Sequence, residues 1–307
     1  MDTLALIVEN IGKKNKIHAN NLRAFLDNAS DEFKVVAEDY LSHYCKFLQD
    51  KFDIDMEFIV DSYLMMVQDI VVEQVRFMRK GVYRYSTIED ADLNVYSNKE
   101  YMFQYMIGVA LSQFLWKNHK EMFEFFQENI RKYSSNNYLE IGCGHGLFFA
   151  ESIKNNFFKN YQAIDISQTS IEITSSFIHN FFGNIPANVN FSNQDVTKAS
   201  VEKFGKFDFI TMGEVLEHVE NPKELLLSIY KLLSDNGYAY ISTCANCPVR
   251  DHIYLYNTID EIREELAECG LSIQEEIIIS NDKIKEEDWI QKKSNLSYAA
   301  IVSKTKK

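Results

Sequence analysis

The chain has 307 residues, of which 46% are hydrophobic and 25% charged, and its formal net charge is −13. These fractions are typical of a globular protein and exclude an intrinsically disordered one. Acids outnumber bases in both halves of the chain, which disfavours RNA and DNA as partners because nucleic-acid binding needs a basic surface.

The start of the chain and the cysteine pattern favour a cytoplasmic protein that does not enter a membrane. Residues 1–4 lack the basic and apolar segments of a signal peptide. The apolar stretches 58–75 and 101–116 are interrupted by charged or amide side chains, which predicts buried helices rather than membrane spans. Five scattered cysteines indicate reduced thiols rather than a disulfide framework.

Residues 1–134 have the pattern of an all-helical domain. Ser30, followed by two acids, is a favourable N-cap, and the apolar residues after it recur at intervals of three and four. Residues 57–80 are apolar on most faces, which predicts a central helix ended by Gly81. A third helical segment is predicted at 99–131, with a break near residue 116.

Residues 135–307 alternate short apolar runs with helical stretches, which predicts a parallel α/β sheet covered on both faces. Seven strands are predicted, at 138–141, 161–164, 189–191, 207–212, 238–242, 272–279 and 297–302. Helices are predicted between them at 147–157, 168–182, 222–234 and 258–269. The stretch between the last two strands is too polar for a crossover helix, so these strands are expected to form an antiparallel hairpin at the sheet edge.

The segment 138–146, with the sequence YLEIGCGHG, places a glycine-rich turn between a strand and a helix. Gly142, Gly144 and Gly146 allow the backbone to turn sharply and approach a ligand closely. Glu140 would repel a phosphate but would attract a cationic group, such as the ammonium or sulfonium of S-adenosylmethionine. Asp165 ends the next predicted strand, where it could bind two ribose hydroxyls.

These residues resemble the class I S-adenosylmethionine-dependent methyltransferase family, which has a seven-stranded Rossmann-like sheet with an antiparallel end hairpin. The resemblance implies that Glu140 and the glycines hold the methionine end of the cofactor. It assigns the ribose to Asp165 and the adenine amine to Asp195. The segment 212–219, MGEVLEHV, is similar to one common among small-molecule and quinone-biosynthesis O-methyltransferases. The cofactor-binding residues expected from this resemblance are Glu140, Gly142, Cys143, Gly144, Gly146, Asp165, Ile166, Asp195, Val196, Gly213 and Glu214.

The loops after the fourth and fifth strands are the expected acceptor site, because ligands bind beyond the carboxyl ends of strands in open α/β sheets. His252 is the preferred general base and His218 the second candidate, since imidazole titrates near neutral pH. Tyr105, Glu217, Asn246 and Tyr254 are predicted to contact the substrate. The aromatic helix around Tyr105 is expected to be helical core or a lid over the cofactor.

No metal is expected, although one alternative includes it. Glu214, Glu217, His218 and His252 resemble the Glu-Glu-His-His metal site of small-RNA 2′-O-methyltransferases, and carboxylates with imidazoles suit Mg²⁺, Mn²⁺ or Zn²⁺. Cys244 and Cys247 form a C-x-x-C pair, for which we predict ordinary thiols because zinc normally needs four ligands.

The resemblance implies methyl transfer from S-adenosylmethionine to a small molecule, with O-methylation ahead of N- or C-methylation, in natural-product or other secondary metabolism. Residues 1–134 would then be a helical domain that covers the substrate, and residues 135–307 the cofactor-binding domain. Two other functions remain open. One is metal-assisted RNA 2′-O-methylation, and the other is a non-catalytic binding module with this fold.

Overall fold

The computed structural model describes residues 2–133, 135–198, 200–281 and 284–305. Ser134, where the two predicted domains meet, lies outside the described residues. Helices occupy most of the chain as far as residue 132. They are α1 (Thr3–Lys14), α2 (Lys16–Asp27), α3 (Asp31–Phe52), α4 (Met56–Lys80), α5 (Ile88–Ala91), a π-helix (Asp92–Tyr96), α6 (Lys99–Leu115) and α7 (Lys117–Lys132).

The ends of these helices follow the sequence signals. The Ser30 hydroxyl accepts a hydrogen bond from the backbone N–H of Phe33 at 3.1 Å, which satisfies a free donor at the start of α3. Gly81 ends α4 at a φ of 72°, in the left-handed region that favours glycine. The extended backbone of Trp116 separates α6 from α7, so the predicted break is confirmed.

The expectation that α4 is buried on most faces is wrong for its second half. Val71, Val72 and Met78 are exposed there, and Met78 is 72% exposed. The first half packs inward through Ile59 and Tyr63. The apolar character of the helix therefore reflects one buried face and one exposed apolar face.

The rest of the chain forms a seven-stranded sheet in the order β3-β2-β1-β4-β5-β7-β6. Its strands are β1 (Asn137–Ile141), β2 (Asn160–Asp165), β3 (Val189–Asn193), β4 (Phe207–Gly213), β5 (Leu233–Ala245), β6 (Leu271–Ser280) and β7 (Leu296–Lys304). The first five strands pair in parallel, whereas β7 pairs antiparallel with both β5 and β6. The predicted α/β sheet and its antiparallel end hairpin are confirmed.

Helices cover both faces of this sheet, and they are α8 (Leu147–Lys154), α9 (Gln168–Phe182), α10 (Val201–Phe204), α11 (Pro222–Leu232), α12 (Ile259–Glu268) and α13 (Trp289–Lys292). Successive residues of a strand point to opposite faces of the sheet, so they pack in two separate hydrophobic clusters. Tyr138 on β1 packs in the cluster that contains the amino-terminal helices, α8 and α9. Its neighbour Leu139 packs in the cluster that contains α11 and α12.

The amino-terminal helices share a core with the sheet-covering helices. The Tyr40 hydroxyl on α3 donates a hydrogen bond to the buried carboxylate of Glu151 on α8, at 2.5 Å. The Tyr40 ring stacks on Phe181 of α9 with centroids 5.2 Å apart. Helices α3, α8 and α9 are thus joined through one buried tyrosine.

Two further properties concern the described part of the chain. Its helices include none with the length and hydropathy required to span a membrane. Its five cysteines, Cys45, Cys143, Cys244, Cys247 and Cys269, are free thiols.

Candidate active site

A cavity of about 1460 Å³ lies at the carboxyl ends of β1, β2, β4 and β5, beneath α6. Parallel strands direct their carboxyl ends to one edge of the sheet, which is where such folds bind ligands. The residues predicted to bind the cofactor line this cavity, with the exception of Gly146. The predicted acceptor residues Tyr105, Glu217, His218 and His252 line it as well.

The glycine turn after β1 requires three glycines for different reasons. Gly142 has a φ of +74°, and a Cβ there would lie 2.6 Å from Cγ2 of Val215, so a side chain fits neither the backbone nor the space. Gly144 has a φ of +47° and faces Met106 of α6. Gly146 has a φ of +82°, and a Cβ there would lie 3.1 Å from Cγ2 of Thr174. Gly146 therefore allows α9 to pack closely and does not line the cavity, so its contact with the cofactor stays a prediction.

Glu140, two residues before the turn, is a buried acid in the cavity wall. It is 4% exposed, and its carboxylate accepts a hydrogen bond from the Tyr138 hydroxyl at 2.8 Å. Burial raises the pKa of Glu140 to about 8. A cation that binds beside this buried group stabilises its ionised form, which burial alone destabilises.

Asp165 is the last residue of β2 and is hydrogen-bonded to the glycine turn. Its carboxylate accepts hydrogen bonds from the backbone N–H groups of Ser167, at 2.8 Å, and of Gly144, at 3.5 Å. Burial raises the pKa of Asp165, although these two N–H groups act in the opposite direction. Ile166 beside it is 76% exposed at the cavity rim, where a flat apolar group could rest on it.

Asp195 follows β3 on the same side of the cavity. One carboxylate oxygen accepts hydrogen bonds from the backbone and hydroxyl of Thr197, and the other pairs with the ammonium of Lys198 at 2.8 Å. Burial alone would raise the pKa of Asp195, but the hydrogen bonds and the charge of Lys198 lower it. Asp195 therefore presents an ionised acceptor to the cavity.

Two acids after β4 face each other in the floor of the cavity. Glu214 has a φ of 52°, which is strained for a non-glycine residue, and its backbone N–H donates to Ser242 O at 3.0 Å. Glu217 is completely buried and accepts a hydrogen bond from the Thr243 hydroxyl at 2.7 Å. Carboxylate oxygens of the two acids lie within 4.8 Å of each other, and Oε1 of each accepts no hydrogen bond from the described residues.

This arrangement favours the protonated form of both acids. Burial raises the pKa of Glu214, and burial together with the charge of Glu214 raises the pKa of Glu217 well above its usual value. Two carboxylates this close cannot both ionise at low cost when they are shielded from water.

His218 lies beside these acids and is held by Asp251, which the sequence did not identify. Nδ1 of His218 lies 3.2 Å from the Asp251 carbonyl oxygen and 3.4 Å from its carboxylate. The Tyr96 hydroxyl of the π-helix is 3.3 Å from the same nitrogen. Because Nδ1 is turned towards an acid, Nε2 is the nitrogen left to accept a proton, and it lies 4.0 Å from Oε1 of Glu217.

His252 is more buried and differently bonded. Its Nδ1 donates to the Cys247 carbonyl oxygen at 2.8 Å, and its ring stands perpendicular to that of His218, with centroids 4.8 Å apart. Burial and the neighbouring His218 lower the pKa of His252 well below its usual value. This environment keeps His252 neutral.

Two of the residues predicted to contact the substrate, Asn246 and Tyr254, do not line the cavity. The Asn246 side chain is 2% exposed and donates to Asn257 O at 2.8 Å, so it closes the loop after β5. The Tyr254 ring packs against Tyr256 with centroids 4.8 Å apart, close enough to Glu265 and Glu261 for these acids to help raise its pKa. Tyr105 does face the cavity, and it stacks on Tyr101.

Possible metal ligands fall into three overlapping groups within the described residues. Cys244, Cys247 and His252 form one, and Glu217, His218 and His252 form another. Glu214 belongs to the third group, with Glu217 and Cys244. The four residues of the alternative metal site are therefore divided between two groups rather than gathered around one point.

The chemistry of these residues fits S-adenosylmethionine. The buried carboxyl group of Glu140 suits the ammonium or sulfonium, and Asp165, fixed by two backbone N–H groups, suits a pair of ribose hydroxyls. The glycine turn leaves room that a Cβ at Gly142 would fill.

A family model described as a methyltransferase domain matches residues 114–276, more than half of the chain. The chain therefore belongs to this methyltransferase family, and the resemblance to class I S-adenosylmethionine-dependent enzymes is confirmed. The match begins within α6, so the family region includes α7 as well as most of the sheet.

Individual relatives are similar over part of the chain. The mitochondrial ubiquinone biosynthesis O-methyltransferase of Candida albicans is 28% identical over 190 residues, covering 60% of this chain and 54% of the relative. The one from Saccharomyces cerevisiae is 29% identical over 141 residues, covering 46% and 42%. The chain thus spans about half the length of the curated relatives it matches. Among solved structures, the N-methyltransferase NodS of Bradyrhizobium japonicum aligns with 17% identity, 62% of this chain, 89% of its own chain and a TM-score of 0.47.

Proposed function

We propose that this chain transfers a methyl group from S-adenosylmethionine to a hydroxyl oxygen of a small, uncharged acceptor. One observation carries the proposal. His218, oriented by Asp251, lies in the same cavity as the glycine turn and Asp165, so a proton acceptor stands beside the cofactor site. The names of the yeast relatives, ubiquinone biosynthesis O-methyltransferases, support oxygen as the methylated atom.

Bound S-adenosylmethionine supplies an electrophilic methyl group on a sulfonium. The contribution of this chain is to hold its reactants in line and to exclude water. Glu140 would face the cationic end of the cofactor, Asp165 the ribose and Asp195 the adenine amine. Tyr105 and Met106 of α6 close the cavity above the glycine turn.

We assign the general base to His218 rather than to His252, which the sequence favoured. Asp251 fixes the proton on Nδ1 of His218, so Nε2 can take the proton of an acceptor hydroxyl. The Nδ1 of His252 is occupied by a carbonyl oxygen, and the burial of its ring opposes a positive charge. His252 then positions His218 through the perpendicular ring contact.

The charges of the cavity wall select an uncharged acceptor. Among the described lining residues the cations are Lys99 and Lys117, both exposed at the rim. The acids include Glu214, Glu217 and Asp251, so an anionic acceptor would be repelled. RNA and DNA are disfavoured for the same reason, which also separates this proposal from RNA 2′-O-methylation.

We propose that residues 1–134 cover the acceptor and that residues 135–307 bind the cofactor. The contribution of α6 to the cavity wall and the contact between Tyr96 and His218 support this division. We also propose that the protein acts in the cytoplasm, where its free thiols would remain reduced. The two yeast relatives are named as mitochondrial.

The acceptor class can be tested by incubating the purified chain with S-adenosylmethionine and three sets of compounds. These are neutral phenols and catechols, the same rings carrying a carboxylate or phosphate, and aromatic amines. Formation of S-adenosylhomocysteine and the mass of the product would be measured. Methylation of the neutral hydroxyl compounds alone supports the proposal, whereas methylation of the anionic set or of the amines contradicts it.

The role of His218 can be tested separately with Asp251→Asn and His218→Gln. General base catalysis typically contributes about 100-fold or more, so we expect kcat to fall by about that factor in both variants. Affinity for S-adenosylhomocysteine should stay within about twofold, because neither residue is assigned to the cofactor. Asp235→Asn, at an exposed residue paired with Lys304, is the matched control and should leave kcat unchanged. Normal turnover in His218→Gln would refute the assignment.

A further inference from the structure

Two histidines at the α6–α7 end of the cavity are not used by the proposed reaction. His119 lies in the first turn of α7, and His145 lies inside the glycine turn. Both line the cavity and are partly buried. They are close enough that a charge on His119 lowers the pKa of His145. The cofactor-binding set predicted from sequence includes neither residue.

The hydrogen bonds of His145 determine which nitrogen carries its proton. Nδ1 accepts a hydrogen bond from the backbone N–H of Leu147 at 3.2 Å. A neutral imidazole that accepts at Nδ1 carries its proton on Nε2. His145 therefore has a free N–H donor on the side of the ring opposite the helix start.

His119 has the opposite tautomer. Its Nδ1 lies 2.9 Å from the Ser112 hydroxyl, and that hydroxyl donates its own proton to Val109 O at 2.7 Å. The serine oxygen must then accept from Nδ1–H of His119, which leaves Nε2 without a proton. Protonation at Nε2 would turn His119 into a cationic donor.

Other donors beside the two histidines are already engaged. Trp116 Nε1 donates to the Tyr63 hydroxyl at 2.8 Å, and Asn118 Nδ2 donates to Ser297 Oγ at 3.0 Å. The amide of Gln113 donates to His119 O at 2.8 Å. Nε2 of each histidine has no hydrogen-bond partner among the described residues and is available to a ligand.

The two lysines among the described lining residues are either distant from this end of the cavity or paired with an acid. Lys99 begins α6, about 24 Å along the helix axis from Leu115 at its other end. Lys117 is exposed and lies 3.6 Å from Glu121, with which it forms an ion pair. A negative group entering here would find imidazoles rather than ammonium or guanidinium groups.

On the basis of the proposed function, we propose that His119 and His145 hold the carboxylate of the cofactor's methionyl end, and that His119 takes up a proton when this carboxylate binds. Nε2–H of His145 donates one hydrogen bond. Protonated Nε2 of His119 donates a second, charge-assisted one. Glu140, on the same wall, is then left to the ammonium, so the two charges of the methionyl group are bound by opposite partners.

The proton uptake follows from the pKa values that the two histidines have before the carboxylate binds. Burial lowers the pKa of His119 to about 4, and burial with the charge of His119 lowers the pKa of His145 to about 4, so both are neutral at pH 7. A bound carboxylate favours the charged form and raises the pKa of His119. Other titratable groups among the described lining residues include Glu140, Cys143, Asp165, Glu214, Tyr240 and the exposed Lys117. Glu140 gives up a proton to pair with the ammonium, so a total proton count would mix two opposite effects.

A pair of ligands separates these effects. S-adenosylhomocysteine and its decarboxylated analogue, which keeps the amine, differ by the carboxylate alone. Their dissociation constants would be measured by calorimetry at pH 6.5 and pH 8.5, so the readout is binding rather than turnover. We expect the wild-type chain to prefer S-adenosylhomocysteine by at least about tenfold at pH 6.5, typical of a charge-assisted hydrogen bond, and by less at pH 8.5.

His119→Gln and His145→Gln should reduce this preference to less than about threefold while leaving the affinity for the decarboxylated analogue within about twofold. His145→Asn provides a second variant, and circular dichroism would verify that each variant is folded. His179→Gln, at an exposed residue of α9, is the control and should behave as wild type.

The alternatives give different results. Equal loss of affinity for both ligands would show a structural role and overturn the inference, as would an unchanged preference in both variants. A wild-type chain that binds both ligands equally would overturn the inference and leave the proposed function intact. A wild-type chain that binds neither ligand would overturn both.

Discussion

Replacing Glu140 with Gln should stabilise the cofactor-free protein and weaken its binding of the cofactor. The carboxyl group is 4% exposed, and its burial raises its pKa to about 8. Its hydrogen bond from the Tyr138 hydroxyl, at 2.8 Å, can be accepted equally by an amide oxygen. The substitution therefore removes the ionisation while keeping the shape and the main contact.

The increase in the free energy of unfolding depends on pH. The unfolded chain ionises Glu140 above about pH 4.5, whereas the native chain keeps the proton until about pH 8. Between these values rising pH favours the unfolded state by about 1.4 kcal/mol per pH unit. Glu140→Gln should thus add about 3 kcal/mol to the free energy of unfolding at pH 7, nearly nothing at pH 4, and its full effect above pH 8.

Urea unfolding at pH 4, 7 and 9, without cofactor, would measure this gain. Glu172→Gln, at an exposed residue of α9, is the control and should show no such pH dependence. Calorimetry with S-adenosylhomocysteine should show weaker binding by the Glu140 variant because its amide cannot pair with the ammonium. A stability change that is the same at all three pH values would refute the reasoning.

Two further predictions concern the glycine turn and metal dependence. Gly142→Ala should lower Tm by several degrees and weaken cofactor binding, because it combines a positive φ with a contact of 2.6 Å to Val215. Val215→Ala should restore part of this loss. Gly183→Ala, with a φ of +78° and no atom within 4 Å of the added Cβ, measures the backbone strain alone. An equal loss at both glycines would contradict the steric argument. Treatment with EDTA should leave activity within about twofold, since the four residues of the alternative metal site do not form one group of ligands. Lost activity that zinc or magnesium restores would contradict this.

The parts of the site that are contiguous in sequence were predictable. The glycine turn and Glu140 occupy one short segment, where the need for positive φ and for a strand before a helix is visible in the residues themselves. Asp165 follows from the end of the next strand. The antiparallel hairpin followed from a connection too short and polar for a crossover helix.

Contacts made by distant residues were not predictable in the same way. His218 and Asp251 are 33 positions apart and meet because the loop after β5 folds back on the loop after β4. Asn246 and Tyr254 do not line the cavity, because the loop after β5 turns at Asn246, whose φ is 51°. The Asn246 side chain donates a hydrogen bond to Asn257 O, and the Tyr254 ring packs on Tyr256. Hydrophobic periodicity does not predict this turn.

Two contacts join the region of the π-helix to the loop after β4. Ile88 N–H donates to the carboxylate of Glu220 at 2.8 Å, and the Tyr96 hydroxyl lies 3.3 Å from His218. Tyr40 joins α3 to α8 and α9. A movement of the amino-terminal helices as one body would therefore break the contacts of Tyr40 with Glu151 and Phe181. The short segment that carries Ile88 and Tyr96 makes both of these contacts with the loop after β4, and Ile88 and Tyr96 line the cavity. In the reaction proposed above, the amino-terminal helical region would thus supply one of the groups that surround the base.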